Sequence, residues 1–242
     1  MLRLHPAAAR QTATPMDIAK PHLDVGLYTH QWPAARAFWE QQAGLVYDHM
    51  GKLGGGVQQH RFHANGSIIK INHARDPLPA VPPGGICGVR VARDGLAGAV
   101  QLADPDGNRL TLVPRGADGV TGIAIELVVR NRAAHDHFWR HVMQFEHLGP
   151  GVYGLGDSRV VVVGEADVAQ PVVMKGPGWR YLTVQIRDCR REHAGVLARG
   201  GTEAAAPRVL GDTVRFAMVA DPDGNQIELS ERASLVGGLT PD

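Results

Sequence analysis

Carboxylates and a phenol alternate with apolar residues in the second half of the chain, in segments whose patterning is typical of strands. Glu228 stands between Ile227 and Leu229, and Glu126 and Tyr181 occupy the same kind of position in two other segments. Since residues two apart in a strand share a face, these polar side chains are predicted to line the side of a sheet opposite its core. Two facing carboxylates there would raise the pKa of one of them, which could then act as a base near neutral pH.

The first half of the chain offers a more basic set of side chains by the same alternation. Lysine and arginine on that face could bind a carboxylate or phosphate of a substrate, although an ion pair between Lys70 and Asp24 with a purely structural role is the alternative. The predicted substrate-binding residues, with one amide from the second half, are Asp24, Lys70, Asn72, Arg90, Arg109 and Gln185.

The histidines are further candidates, because imidazole is the usual acid–base group and metal ligand. His60 and His63 are three apart and fall on opposite faces of a strand, so they cannot ligate together from one face. His73 follows Asn72 at the predicted end of a strand, beside the cleft, and is the histidine we add to the catalytic candidates. A solvated loop histidine is the alternative interpretation.

The elements that must position these residues occur twice along the chain. The sequence ADPDGNRLTLVPR at 103–115 returns as ADPDGNQIELSER at 220–232, and two strand-to-helix openings end in Phe-Trp pairs. We therefore predict an α+β protein of two tandem domains, each built of a strand, a helix and several further strands. The first domain lacks room for the second helix, so its second half is abbreviated. The predicted division is a disordered leader at 1–19, with Met16 as an alternative start, domains at 20–116 and 120–234, and a tail at 235–242.

Composition excludes several classes of function. The 25 lysines and arginines are balanced by 24 acidic residues, and aromatic residues make up only 5%, which argues against nucleic-acid binding. The sequence has no apolar run long enough to span a membrane, and two cysteines are too few for a disulfide framework. We expect a cytoplasmic protein whose partner is a small-molecule substrate, as a monomer or a homodimer.

The chain resembles the vicinal oxygen chelate superfamily of glyoxalases, extradiol dioxygenases and bleomycin-resistance proteins. The resemblance is carried by the openings that lead to Phe38-Trp39 and Phe138-Trp139 and by the two DPDGN turns. It implies tandem βαβββ modules that form two half-open, glyoxalase-like barrels around a cleft. It also implies an isomerase, epimerase or lyase acting on a substrate with adjacent oxygens. A resistance-type binding protein without chemistry and an extradiol-type dioxygenase are the alternatives.

The resemblance further implies one divalent metal held by a histidine on the first strand, a histidine or glutamine on a middle strand and a glutamate after the DPDG turn. The second copy has Ala124, Tyr181 and Glu228 at these positions, and the first copy has Asp24 and Thr111 at the outer two. Only Glu228 matches in type, so it is the single predicted metal ligand. The set is incomplete, and the cofactor and the identity of the active cleft stay open.

Overall fold

The computed structural model describes residues 15–168 and 172–241. Residues 1–14 of the expected leader lie outside the described part, and the first strand already begins at Ile18, inside the span predicted as leader. None of the helices in the described ranges is long and apolar enough to cross a bilayer. The strands are β1 (Ile18–Thr29), β2 (Val46–Gly54), β3 (Val57–Ala64), β4 (Ser67–Ala74), β5 (Ile86–Arg93), β6 (Val100–Ala103), β7 (Arg109–Pro114), β8 (Ile123–Val129), β9 (Glu146–Gly149), β10 (Val152–Leu155), β11 (Ser158–Glu165), β12 (Gly178–Ile186), β13 (Thr202–Leu210), β14 (Val214–Ala220) and β15 (Gln226–Arg232).

The helices follow the first strands of three modules. Asn131 caps α2 by accepting a hydrogen bond from the backbone N–H of Ala134, and Asp188 caps α3 in the same way through Arg191. No helix lies between β5 and β6, where turn residues 94–99 make the connection, so the abbreviated half predicted from the sequence is present. The helices are α1 (Trp32–Ala37) and α2 (Arg132–His137), each extended by a π-helical turn, at Phe38–Gln42 and Phe138–Val142, then α3 (Cys189–Ala198) and α4 (Ala233–Val236).

The strands form two sheets, and within the described residues neither closes into a barrel. Sheet A has eight strands in the order β13-β14-β15-β12-β1-β4-β3-β2, and sheet B has seven in the order β6-β7-β5-β8-β11-β10-β9. In sheet A the antiparallel pair of β1 with β12 joins two modules, and in sheet B the pair of β5 with β8 does so. The result is the predicted α+β architecture of βαβββ modules in two half-open sheets.

The prediction that the polar residues of each half of the chain share a cleft of their own was wrong. Sheet A takes β1–β4 from the first half of the chain and β12–β15 from the second, while sheet B takes the strands between them. Alternation shows which residues share a face of a strand, but it does not show which strand becomes the neighbour. Each concave face is therefore shared by both halves, and the boundaries at 20–116 and 120–234 stay a prediction about the sequence.

The apolar faces of both sheets pack on the helices that carry the Phe-Trp pairs. Trp39 and Trp139 are completely buried, and each stands edge-on to the phenylalanine before it. Trp39 also meets Trp179 of sheet A in a T-shaped contact, with 5.9 Å between the ring centroids. Because the core fills one face of each sheet, the opposite, concave faces are where polar side chains gather.

The two DPDGN turns have the same hydrogen bonds. In the second turn, Oδ1 of Asp221 accepts from the backbone N–H groups of Asp223 and Asn225, and Oδ2 accepts from the Asn225 amide. Asp104 makes the equivalent three bonds in the first turn. The glycine that follows has a φ of 81° in the second turn, which suits glycine best. The second turn is anchored further by a 2.9 Å bond between Asp223 and the buried His135 of α2.

Because the second turn is buried, we expect the stability of the protein to depend on the protonation of Asp221. Burial raises the pKa of Asp221 from 3.8 to about 6, against the opposing effect of His135 and the turn's hydrogen bonds. The folded protein therefore binds the Asp221 proton more tightly than the unfolded chain does. The protonated carboxyl contributes stability that is fully present below pH 4 and is lost as pH rises through 6. Each pKa unit is worth about 1.4 kcal/mol. The free energy of unfolding of Asp221→Asn, relative to that of the wild type, should therefore rise by about 3 kcal/mol between pH 3.5 and pH 7. Urea unfolding across that range measures the difference, and a difference that does not change with pH would contradict the assignment.

Candidate functional site

The concave face of sheet A brings together polar side chains from both ends of the chain. Across the sheet, Asp24 of β1 is paired with Thr183 of β12, and Thr183 with Glu228 of β15. One row further on, Gly26 lies between Lys70 of β4 and Tyr181 of β12. We call this group the sheet A cluster; its members are Asp24, Gln59, Lys70, Asn72, Tyr181, Thr183, Gln185 and Glu228.

Lys70 is the centre of the sheet A cluster. Its side chain is 1% exposed, and its Nζ donates to Oγ1 of Thr183 at 2.7 Å and to Oε2 of Glu228 at 3.0 Å. Thr183 in turn donates to the same carboxylate oxygen at 3.0 Å. Burial lowers the pKa of Lys70, and the charges of Glu228 and Asp24 offset that effect only in part. The ammonium thus fixes the orientation of Glu228.

Asp24 is completely buried and fully engaged. It accepts hydrogen bonds from Nζ of Lys20 at 2.8 Å, from the Gln185 amide at 2.9 Å and from the backbone N–H of Ile68 at 2.8 Å. Burial alone would raise the pKa of this carboxyl, but Lys70 and Lys20 outweigh it and hold the pKa below its ordinary value. Asp24 is therefore an anchoring carboxylate, but its ion pair is with Lys20, whereas Lys70, the partner expected from the sequence, pairs with Glu228.

Tyr181 is held so that its hydroxyl proton stays available. The phenol oxygen accepts from the Gln59 amide at 3.2 Å and from the Asn72 amide at 3.1 Å, and these two donors occupy its lone pairs. Burial raises the pKa of Tyr181 well above its usual value, so the group remains protonated at neutral pH. The ring lies across Gly26, where an added Cβ would stand 2.1 Å from ring atoms. Its O–H is left to donate to a bound molecule.

Glu228 opens the sheet A cluster to the surface. Its side chain is 14% exposed, and among the described residues only its Oε2 has hydrogen-bond partners, which leaves Oε1 free. Tyr28 lies close by, and burial together with the charge of Glu228 raises the pKa of that phenol to about 12. A small cluster of buried apolar side chains lies on the same side of the sheet; its members are Tyr28, Val57, Tyr181 and Met218, with Leu78, Met174 and Phe216 packed against them.

Sheet B carries a separate site of different character. Oε1 of Glu126 accepts from Arg90 Nε and Oε2 from Arg109 Nη2, both at 2.7 Å, and Arg90 also bonds Asp118 at 2.9 Å. These four residues line an open cavity of about 520 Å³. Glu126 is thus clamped between two guanidinium groups. It does not face Glu228, because the two carboxylates belong to different sheets, and the predicted like-charge pair does not form.

His73 does not join either group. It follows Asn72 directly in β4, so its ring lies on the opposite, helix-packed face of sheet A. There its ring centroid is 6.3 Å from Trp32 and 6.2 Å from His60. Burial lowers the pKa of His73, and His30 lowers it further. Placing His73 beside the cleft was therefore wrong by one position in the strand.

Sequence reasoning missed three contributors to the site. Thr183 and Gln59 are not among the site residues predicted from the sequence. Gly26 did carry a signal, since a glycine inside a strand often marks a close approach of another group. Here the approaching group is the Tyr181 ring.

The donor set does not fit the divalent metal that the resemblance implies. In the concave face of sheet A, the Lys70 ammonium itself contacts Glu228 and fills the place next to the carboxylate where a cation would bind. A lysine nitrogen that is protonated cannot ligate a metal, and a phenol and a threonine are weak partners. No group of three or more histidine, cysteine, aspartate or glutamate side chains within residues 15–168 and 172–241 is arranged to hold an ion.

Comparison with solved structures identifies similar folds. Glyoxalase I from Zea mays aligns with a TM-score of 0.69 at 14% identity, covering 91% of this chain and 94% of that one. A proposed dioxygenase from Bacillus subtilis aligns with a TM-score of 0.63 at 11% identity, covering 90% and 86%. The cppA protein of Streptococcus pneumoniae aligns with a TM-score of 0.52 at 9% identity, covering 88% and 98%. No family model and no curated protein sequence matches the chain.

Proposed function

We propose that this chain, which has the vicinal oxygen chelate fold, is a metal-independent enzyme that removes a proton from carbon beside a carbonyl group of a small molecule. The observation that carries the proposal is the free Oε1 of the partly exposed Glu228, which lies on the same concave face of sheet A as the Tyr181 hydroxyl. A base and a hydrogen-bond donor on one concave face are the two groups that enolisation needs. Isomerisation or epimerisation of a substrate with adjacent oxygens is the reaction class.

The proposed isomerisation moves a proton between two carbons and a second proton between two oxygens. The substrate carbonyl oxygen accepts the O–H of Tyr181, and Oε1 of Glu228 takes the proton from the neighbouring carbon, which carries a hydroxyl group. The electron pair of that C–H bond becomes the new C=C bond as the carbonyl pair moves onto oxygen, where Tyr181 stabilises the negative charge. Glu228 then gives its proton to the former carbonyl carbon, while the proton of the substrate hydroxyl passes to the former carbonyl oxygen, so that carbonyl and hydroxyl change places. Lys70 and Thr183 keep the carboxylate in place throughout.

A binding protein without chemistry, of the resistance type, is the second candidate. It is favoured by the open cavity of about 520 Å³ in sheet B, where Arg90 and Arg109 face outward from a neutralising carboxylate. An extradiol-type dioxygenase draws no support from residues 15–168 and 172–241, where no group of three histidine, cysteine, aspartate or glutamate side chains is arranged to hold a metal ion. In both remaining proposals the partner is a small molecule, the protein acts in the cytoplasm, and it is a monomer or a homodimer.

Proton exchange tests the enzymatic proposal directly. A panel of 2-oxo acids, 2-hydroxyaldehydes and 2-hydroxyketones is incubated with the protein in heavy water, and loss of the α-proton signal is followed by NMR. We expect exchange of at least one compound, slowed by at least about a hundredfold in Glu228→Gln because the variant has no base. Glu126→Gln is the matched control, as it removes a carboxylate from the other sheet.

The two candidates separate in the same experiment. A compound that raises the melting temperature and exchanges in the wild type and in Glu126→Gln, but not in Glu228→Gln, supports the enzyme. Compounds that stabilise the protein and never exchange support the binding protein instead. Equal exchange rates in Glu228→Gln and the wild type remove Glu228 from the mechanism.

A further inference from the structure

Arg232, the last residue of β15, has a charged group without a partner. Its Nε is completely buried and makes no hydrogen bond, and the guanidinium has no ion pair or other hydrogen bond with the described residues. Burial lowers the pKa of Arg232, yet arginine remains charged at any neutral pH. Arg232 is half-buried, so water reaches part of its guanidinium, but the buried Nε is a charged donor that an acceptor on a bound molecule would satisfy.

The surroundings of Arg232 show where that anion would lie. Arg61, which is 7% exposed, is near enough for its charge to lower the pKa of Arg232, while Glu228 and Asp24 raise it in part. The Arg61 Nε is also buried without a hydrogen bond, and its nearest carboxylate, Asp48, is 3.7 Å away. Arg232 and Ser230 follow Glu228 at two-residue intervals along β15, so Arg232 lies on the same concave face as the sheet A cluster. Arg61 lies on that face too, because it is paired with Lys70 across β3 and β4.

Two further polar atoms on this face are buried without partners. They are Oγ of Ser230 and Oε1 of Gln185, and the two residues are paired across β15 and β12. The Ser230 hydroxyl can donate, as can both arginine Nε atoms, so three unused donors come from this one region. Buried donors in a native protein are normally satisfied, which makes this concentration a sign of a ligand.

The charges on this face do not balance. Lysine and arginine contribute four positive charges, from Lys20, Arg61, Lys70 and Arg232. The carboxylates Asp24 and Glu228 contribute two negative charges. A third carboxylate, Asp48 at the sheet edge, is shared between Arg61 and the histidines His49 and His63. The surplus is positive and lies at the Arg232 end of the face.

We propose that the molecule bound by the sheet A cluster carries an anionic group, a carboxylate or a phosphate, which binds Arg232 and Arg61 with help from Ser230. This inference rests on the proposed function and specifies its substrate class, a small carbonyl compound with one negatively charged end. The guanidinium groups hold the charged end, and Glu228 and Tyr181 act on the carbonyl end. Arg232 and Arg61 are specificity residues in this arrangement and take no part in proton transfer.

Anion binding is measured without any need for turnover. Inorganic phosphate and glycolate are titrated into the wild type, Arg232→Gln, Arg232→Lys and Arg140→Gln, an exposed arginine on the helical side, with sodium chloride at equal ionic strength as the reference. Calorimetry and melting temperature give the dissociation constants. We expect binding by the wild type and by Arg140→Gln, at least a tenfold weaker constant in Arg232→Gln, and partial recovery in Arg232→Lys. Preference for one probe distinguishes the two anions.

Stability supplies a second readout. Without added anion, Arg232→Gln should melt at the same temperature as the wild type or higher, because an unpaired, half-buried charge has been removed. Equal affinity of Arg232→Gln and the wild type for both probes would overturn the proposal, as would a wild type that binds neither. Glu228→Gln separates the two proposals, because this variant should retain anion binding. If the wild type binds the anion but shows no proton exchange, only the catalytic role of Glu228 is overturned.

Discussion

Lys70→Met should lower the free energy of unfolding by about 3 to 5 kcal/mol, the cost of leaving a buried carboxylate without its cation. Methionine keeps the length and apolar stem of lysine but removes the charge that lies 3.0 Å from Glu228 and acts on Asp24. Glu228 would then lose its ammonium partner, and Asp24 would keep Lys20 but lose the nearby charge of Lys70. Since an ordinary domain has only about 5 to 15 kcal/mol of stability, the loss is a large part of the total. Urea unfolding followed by tryptophan fluorescence measures it.

A second substitution shows whether the charge is the cause. The double variant Lys70→Met with Glu228→Gln should recover much of the loss, because both members of the ion pair are then neutral. Lys52→Met, at an exposed lysine of β2, should change stability by less than about 0.5 kcal/mol. If Lys70→Met were as mild as Lys52→Met, the ammonium would have no structural role.

Gly26→Ala should displace Tyr181 and abolish most of the proposed proton exchange. The new methyl group would stand 2.1 Å from two carbons of the ring and 2.6 Å from its hydroxyl, distances that no pair of atoms tolerates. The ring must then leave the amides of Gln59 and Asn72, and the carbonyl of the substrate loses its donor. We expect a loss of stability of about 1 to 3 kcal/mol and a fall in exchange rate of about a hundredfold or more.

Gly51→Ala provides the matched control for this prediction. Gly51 also lies inside a strand, β2, but no atom lies within 4 Å of the position where its Cβ would be. Its substitution should leave both exchange and stability nearly unchanged. Tyr181→Phe, which keeps the ring and removes only the hydroxyl, should slow exchange without the steric cost. Normal exchange in Gly26→Ala would show that the position of the Tyr181 hydroxyl does not matter.

Local features of the fold could be predicted from the sequence because they depend on neighbouring residues. The DPDGN turns, the Asn131 cap and the polar faces of β12 and β15 all follow from side-chain chemistry and the period of a strand. Partner strands could not be predicted in the same way. Lys70 and Glu228 are 158 positions apart, and only the pairing of β1 with β12 brings them together.

The same limit explains which candidate residues did not meet. Glu126 and Glu228 carry the same pattern of alternation, yet Glu126 is paired in sheet B with Arg90 and Arg109. His73 shows a different limit, since a shift of one residue moves a side chain to the other face of the strand. Face assignment therefore needs an exact strand register, which the sequence around His73 does not specify.

The pairing of β1 with β12 also sets the order in which the molecule can assemble. Sheet B contains contacts between residues that are close in the sequence, such as Arg109 and Glu126, which are 17 positions apart. In sheet A, Gln185 and Asp24 are 161 positions apart. During synthesis, β1 must wait with one edge unpaired until the last module leaves the ribosome, and long-range pairing of this kind is slow and prone to aggregation. We therefore expect sheet B to form before sheet A is complete, so the site proposed in sheet A should be among the last parts of the molecule to assemble.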